Sequence, residues 1–214
     1  CDADHSFDSS LPPISRGFGV DLQNTRFQPS ETGGLTAENV HRLEVKWSFA
    51  YPNSIQARSE PVYGAGGIYM GSQDGTIWAL DAQTGCLRWT FNATAEVRTG
   101  VAISPWSADD DSIDPLIFFG DVIANVYAVS ARTGELRWKV RVDDHRDATM
   151  TGTPSIYDDR LYVPVSSLEV VSAGNGEYEC CTFRGALLSL DAATGNQHWK
   201  SYTTDKPPEP AGKT

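Results

Sequence analysis

Three eleven-residue segments of this chain align without a gap: ALDAQTGCLRW over residues 79–89, AVSARTGELRW over 128–138 and SLDAATGNQHW over 189–199. Each copy runs into a short polar residue, Asp81, Ser130 or Asp191. A Thr-Gly pair follows (Thr84-Gly85, Thr133-Gly134, Thr194-Gly195), and a tryptophan stands four residues after the glycine, at Trp89, Trp138 or Trp199. Such a unit is a strand, a tight turn and a returning strand. Glycine supplies the left-handed backbone that the turn requires, and the returning tryptophan fills the space between units. LEVKW, ending at Trp47, reads as the last strand of a preceding copy.

These four of the chain's six tryptophans, Trp47, Trp89, Trp138 and Trp199, stand 42, 49 and 61 residues apart. Between them run alternating stretches such as GIYMGS and RLYVPVSS with almost no helical periodicity, so each unit reads as four short antiparallel strands. A period in the forties with four strands per unit is that of a β-propeller blade. A β-sandwich would have to acquire three ungapped matches by accident. The predicted fold class is therefore all-β, an incomplete β-propeller of about three four-stranded antiparallel blades with Trp-docking repeats plus a leading strand. Residues 1–34, rich in Gly, Pro, Ser and Asp, are expected to lie against the blades as a leading segment. Residues 35–205 would form the partial propeller, and 206–214, within DKPPEPAGKT, a Pro-rich loop.

Charge and composition narrow the partners. With 28 acidic against 17 basic side chains, a formal net charge of -11, the chain has no basic block for a phosphate backbone, and nucleic acid is excluded. Its residues are 40% hydrophobic, enough for a core, and no apolar run approaches the ~20 residues that span a bilayer. The chain opens on Cys1 rather than Met, as a mature form or a cut piece of something longer does. CDADH at residues 1–5 has the outline of a C-x-x-C-H haem attachment motif, but Asp4 replaces the second cysteine and rules haem out.

Four cysteines fit either free thiols or two bridges, with Cys180–Cys181 and Cys1–Cys86 as the pairing, and they lean towards an oxidising compartment. The adjacent pair is the unusual one. A trans peptide would set its Cα atoms about 3.8 Å apart, below the roughly 4.4 Å at which ordinary bridges begin, so a bond there would be strained, rigid and easily reduced.

Aligning the units also marks ARSEP (57–61), VRTGV (97–101) and MTGTP (150–154) as equivalent starts of the innermost strands. Their second residues are Arg58, Arg98 and Thr151. In a propeller such positions converge on the central channel, and two guanidiniums with a hydroxyl suit an anion; the competing reading is solvated strand ends. The third unit is lengthened by an insertion over residues 166–185 that carries Ser166, Glu169, Cys180, Cys181 and Arg184. A loop of that length on a compact blade is more often functional than decorative. VDDHRD, with Asp143, Asp144 and His145, reads as a solvated loop.

The blade motif A-x-D-x-x-T-G-x-x-x-W, met in full at Ala79–Trp89, resembles that of the pyrroloquinoline quinone (PQQ) dehydrogenases, eight-bladed quinoproteins that oxidise alcohols. The second copy departs from it at Ser130 and the third at Ser189. CCTFRG, GSQDG and VPVSSLE make the polyvinyl-alcohol dehydrogenase branch the most similar, over roughly residues 20–205. The resemblance implies the N-terminal part of a periplasmic or secreted enzyme that oxidises secondary or polymeric alcohols and passes electrons to a cytochrome c. It places Arg58, Arg98, Thr151, Ser166 and Arg184 around the three carboxylates of PQQ. Cys180 and Cys181 would form a vicinal disulfide packed on one face of the quinone. Glu169, in Ser-x-x-Glu spacing, would be a ligand of a Ca²⁺ ion that polarises a quinone carbonyl while an aspartate base takes the alcohol proton and hydride passes to the ring. That base, a further metal ligand and the opposite aromatic plate come from later blades in the family, so no catalytic residue is assigned in this chain. The alternative is a non-catalytic scaffold propeller of the outer-membrane assembly lipoprotein type, for which Cys1 would be the lipid site. The inserted loop separates the two, since a scaffold has no need of its residues together.

Overall fold

The computed structural model describes Cys1, residues 7–109 and residues 112–209, so the haem-motif outline at 2–5 and the tail from 210 lie outside the described residues. Blade 1 is β1 (Val62–Gly64), β2 (Gly67–Gly71), β3 (Thr76–Asp81) and β4 (Leu87–Asn92), paired in that order. Blade 2 repeats it with β5 (Ala102–Ile103), β6 (Leu116–Gly120), β7 (Asn125–Ser130) and β8 (Leu136–Arg141). Blade 3 holds β9 (Ala148–Thr149), β10 (Ser155–Tyr157), β11 (Arg160–Ser167), β12 (Ala186–Asp191) and β13 (Gln197–Tyr202). Its innermost strand is split: β10 pairs with the start of β11 and β9 with its end, Ser166 opposite Thr149. The unit predicted to have four strands thus has five where Thr151–Pro154 leaves the ladder.

The repeat motif does what its residues suggest. β3, β7 and β12 end on Asp81, Ser130 and Asp191, and the glycines behind them are left-handed, with φ of 72° at Gly85, 77° at Gly134 and 76° at Gly195. Three of the four repeat tryptophans then dock on the turn of the following blade, Trp199 being exposed. The indole Nε1–H of Trp47 donates to the Ala82 carbonyl at 3.1 Å, that of Trp89 to Ala131 at 3.1 Å and that of Trp138 to Ala192 at 2.9 Å. A Cβ on Gly85, Gly134 or Gly195 would sit 2.7–2.8 Å from the docked ring, so the turn needs glycine for space as well as for φ. Residues 43–49 differ from the expected leading strand: they form no ladder among the described residues, although Trp47 occupies the docking position. A strand exists only against a neighbour, and no described strand lies beside this one.

Blade 2 shows how the repeat tolerates its departure. In blade 1, Asp81 accepts from the Thr84 N–H and pairs with Arg88 at 2.9 Å. In blade 2 the Ser130 hydroxyl takes the Thr133 N–H, and Asp114 supplies the missing carboxylate to Ser130 and to Arg137.

Blade 2 is covered on both faces, and its strands alternate between two cores. Ile117, Phe119, Tyr127 and Val129 pack with Tyr69 and Ile77 of blade 1, while Phe118, Val126 and Ala128 pack with Leu161, Val163 and Leu188 of blade 3. This explains why NVYAVS is buried at every position and shows no polar face. The leading segment is tied to blades 1 and 2 by Asp8 N–H to Ala65 O, by Ile103 N–H to Arg16 O and by a Ser15–Tyr63 bridge. Cys1 is disulfide-bonded to Cys86 in the blade 1 turn, Cα to Cα 5.7 Å.

Candidate functional site

The lead-ins to the innermost strands run side by side. Val101 N–H donates to Glu60 O at 3.1 Å across blades 1 and 2, and Gly100 N–H donates to the Thr153 hydroxyl at 2.8 Å across blades 2 and 3. ARSEP, VRTGV and MTGTP precede the ladders of β1, β5 and β10 rather than opening them, which corrects their expected place inside the strands.

Arg58 and Arg98 meet through a residue that the sequence reading passed over. Glu96 Oε1 lies 3.1 Å from Arg58 Nη1 and 3.0 Å from Arg98 Nε, and Oε2 accepts from Arg98 Nη2 at 3.0 Å. The Glu96 side chain is 15% exposed against 39% for Arg58 and 31% for Arg98, so the carboxylate sits beneath the two cations that it holds. One negative charge against two positive leaves the cluster net positive. Arg98 faces Glu96 through its Nε and Nη2 atoms, which leaves Nη1 and the second Nη2 hydrogen as its further donors in kind. The signal was readable: in extended chain Glu96 and Arg98, two residues apart, share a face.

Thr151 and Ser166 are also brought together, hydroxyl to hydroxyl at 3.3 Å. Arg184 goes elsewhere: its guanidinium bonds Thr204 and lies 4.0 Å over the Tyr202 ring at the end of the outermost strand.

The insertion is built around Glu169, at the start of a four-residue helix, Glu169–Ser172. Its side chain is 5% exposed. Oε1 accepts from Thr182 N–H at 2.8 Å and from the Tyr178 hydroxyl at 3.0 Å, and Oε2 accepts from Phe183 N–H at 3.0 Å. Burial alone would raise its pKa; the two amides and the phenol outweigh it and hold the carboxyl below its ordinary value. Tyr178 is pushed up to about 12 by burial and by hydrogen bonds to Glu169 and Asp147. Cys180 and Cys181 are bonded to each other between these tethers. The peptide joining them is cis, with Cα atoms 3.1 Å apart, where the sequence reading assumed trans and about 3.8 Å.

VDDHRD is not a solvated loop. The Asp143 side chain is 12% exposed and pairs with Lys200 at 2.6 Å; His145 meets Thr182, and Asp147 meets Tyr178 and Ser172. These partners lie 25 to 57 residues away, which no local pattern announces.

A family model for the β-propeller domain of the glucose, ethanol and alcohol dehydrogenases of PQQ type matches residues 16–141, more than half of the chain. The chain belongs to this PQQ propeller family. Among curated relatives it is 40% identical over 203 residues to a polyvinylalcohol dehydrogenase of a Pseudomonas species, covering 95% of this chain and 31% of the relative. It is 36% identical over 196 residues to the polyvinylalcohol dehydrogenase of Sphingopyxis sp. strain 113P3, covering 91% of this chain and 29% of the relative. This member of the family thus spans about a third of the length of these relatives. Among solved structures, the quinohemoprotein alcohol dehydrogenase of Comamonas testosteroni superposes with a TM-score of 0.69 at 22% identity, covering 89% of this chain and 27% of that one. A europium-containing methanol dehydrogenase gives 0.68 at 23% identity, covering 90% of this chain and 32% of that one. These two confirm the fold, and this chain as part of a propeller.

The donor set fits the quinone in kind. Arg58, Arg98, Thr151 and Ser166 are the cationic and hydroxyl partners that carboxylates take, and the disulfide is available as a polarizable surface. For a cation this chain offers only part of a shell: hard divalent cations take roughly six to eight oxygens, Glu169 brings one carboxylate that also accepts hydrogen bonds, and the described residues hold no group of three or more His, Cys, Asp or Glu side chains able to bind a metal.

Proposed function

We propose that this chain is part of a PQQ-dependent alcohol dehydrogenase of the polyvinyl-alcohol type, contributing three blades and one half of the quinone site. The observation that carries the reading is the net-positive Arg58–Glu96–Arg98 cluster, formed where two blades meet, in a chain 40% identical to a polyvinylalcohol dehydrogenase. Arg58 and Arg98 hold quinone carboxylates with their free N–H groups, Thr151 and Ser166 add hydroxyl donors, and the Cys180–Cys181 pair excludes water from one face of the ring. Bound there, the quinone supplies the acceptor for hydride from a secondary or polymeric alcohol. A general base is not assigned to this chain, and no step is routed through a cation. The acceptor of the electrons is a cytochrome c, in keeping with the quinohemoprotein dehydrogenases among the similar proteins. The location is periplasmic or secreted, supported by the pairing of all four cysteines. Nothing specific favours the scaffold reading.

The test is a chimera in which residues 16–202 replace the matching segment of the Pseudomonas polyvinylalcohol dehydrogenase. PQQ-dependent oxidation of polyvinyl alcohol by the folded chimera is expected. A folded chimera that binds no PQQ would contradict the proposal.

A further inference from the structure

Glu169 is the centre of a hydrogen-bonded brace that ends on the cysteine pair. Its hydrogen bonds have a defined direction. Asp147 N–H donates to His145 Nδ1 at 3.1 Å, so Nδ1 carries no proton and Nε2 does. His145 Nε2–H then faces the Thr182 hydroxyl at 2.9 Å, and that hydroxyl donates to Glu169 Oε1 at 3.3 Å. A second arm reaches the same carboxylate. The Tyr178 hydroxyl lies between Glu169 Oε1 at 3.0 Å and Asp147 Oδ2 at 3.1 Å, and Asp147 Oδ1 accepts from Ser172 at 2.8 Å. Around the disulfide, the Thr182 and Phe183 amides find their acceptors in Glu169. The His145 and Asp147 side chains are only 21% and 12% exposed. The loop that carries the cysteines is therefore held by side chains from the loop before β9.

We infer that His145, Asp147 and Tyr178 are positioning residues for the Cys180–Cys181 pair, fixing through Glu169 and Thr182 where the disulfide stands against the quinone. The functional half of this inference rests on the quinone reading; the brace itself does not. None of the three touches the quinone. They act by keeping two backbone amides and one carboxylate in register, as the supports of a pre-organised site do. Water competing for either arm would release the loop without unfolding a blade.

The test uses Tyr178→Phe and Asp147→Asn, with Asp144→Asn as a control on an exposed carboxylate of the same loop. Amide hydrogen exchange at Thr182 and Phe183 is measured beside that of β7, together with the affinity for PQQ. Both variants are expected to exchange about tenfold faster at Thr182 and Phe183, with β7 unchanged, and to bind PQQ at least fivefold more weakly. The control is expected to match the wild type. Unchanged exchange at Thr182 and Phe183 in both variants would overturn the brace, whatever PQQ does. Faster exchange in a chain whose wild type binds no PQQ would uphold the brace and overturn the quinone reading instead.

Discussion

Trp138 donates its indole N–H to the carbonyl oxygen of Ala192 at 2.9 Å, joining the outermost strand of blade 2 to the turn of blade 3. The ring rests on Gly195, whose missing side chain makes the contact possible. Blade order is thus written as a chain of such contacts, 47 to 82, 89 to 131 and 138 to 192.

Gly195→Ala is expected to lower stability by about 2–4 kcal/mol, since the new Cβ meets the Trp138 ring at 2.8 Å and the residue must keep φ near 76°. Trp138→Phe should cost about 1–3 kcal/mol by leaving the Ala192 carbonyl without its donor. Urea midpoints of the two variants and their double mutant check this. The double mutant should be less destabilised than the sum of the singles, because both changes act on one contact.

Asp81 gives the chain an acid-sensitive joint. Burial works against its charge, but hydrogen bonds from Arg88 and Thr84 prevail and bring its pKa down to about 2. A carboxyl with a folded pKa below the unfolded value stabilises above the unfolded pKa, near 4, and that contribution is lost as pH falls through about 2. It amounts to about 2 kcal/mol. Asp81→Asn should therefore flatten the fall in stability between about pH 4 and pH 2 in denaturant titrations; an equally steep fall in the variant would refute the assignment.

The Cys1–Cys86 bridge spans a sequence separation of 85 residues and ties the start of the chain to the blade 1 turn. Replacing Cys86 by Ser is expected to cost about 2–5 kcal/mol, and replacing Cys1 as well should add nothing further. Guanidinium midpoints under non-reducing conditions decide it.

How much of this was legible in sequence follows from the range of each interaction. The Thr-Gly turn and the strand ends at Asp81, Ser130 and Asp191 are local events, while the tryptophan docks across blades and was announced only by its repetition; the structure has all three where the repeat placed them. The innermost strands were harder to place, because Arg58 and Arg98 lie in backbone whose hydrogen bonds cross between blades. Glu96 was within reach as the i−2 neighbour of Arg98. His145, Asp147 and Tyr178 were not, since their meaning arises only when the insertion folds back over β9. The cis peptide at Cys180–Cys181 likewise had no local signal beyond the adjacency of the two cysteines.

The central claim is that Arg58 and Arg98, joined by Glu96, hold quinone carboxylates. Its most direct test is a titration of PQQ into this chain followed by the quinone absorption band, repeated with Arg58→Ala and Arg98→Ala. The account predicts saturable binding of one PQQ, weakened at least about tenfold in each variant by loss of a charge-assisted hydrogen bond. Absence of binding to the wild type, or equal binding to all three proteins, would contradict it.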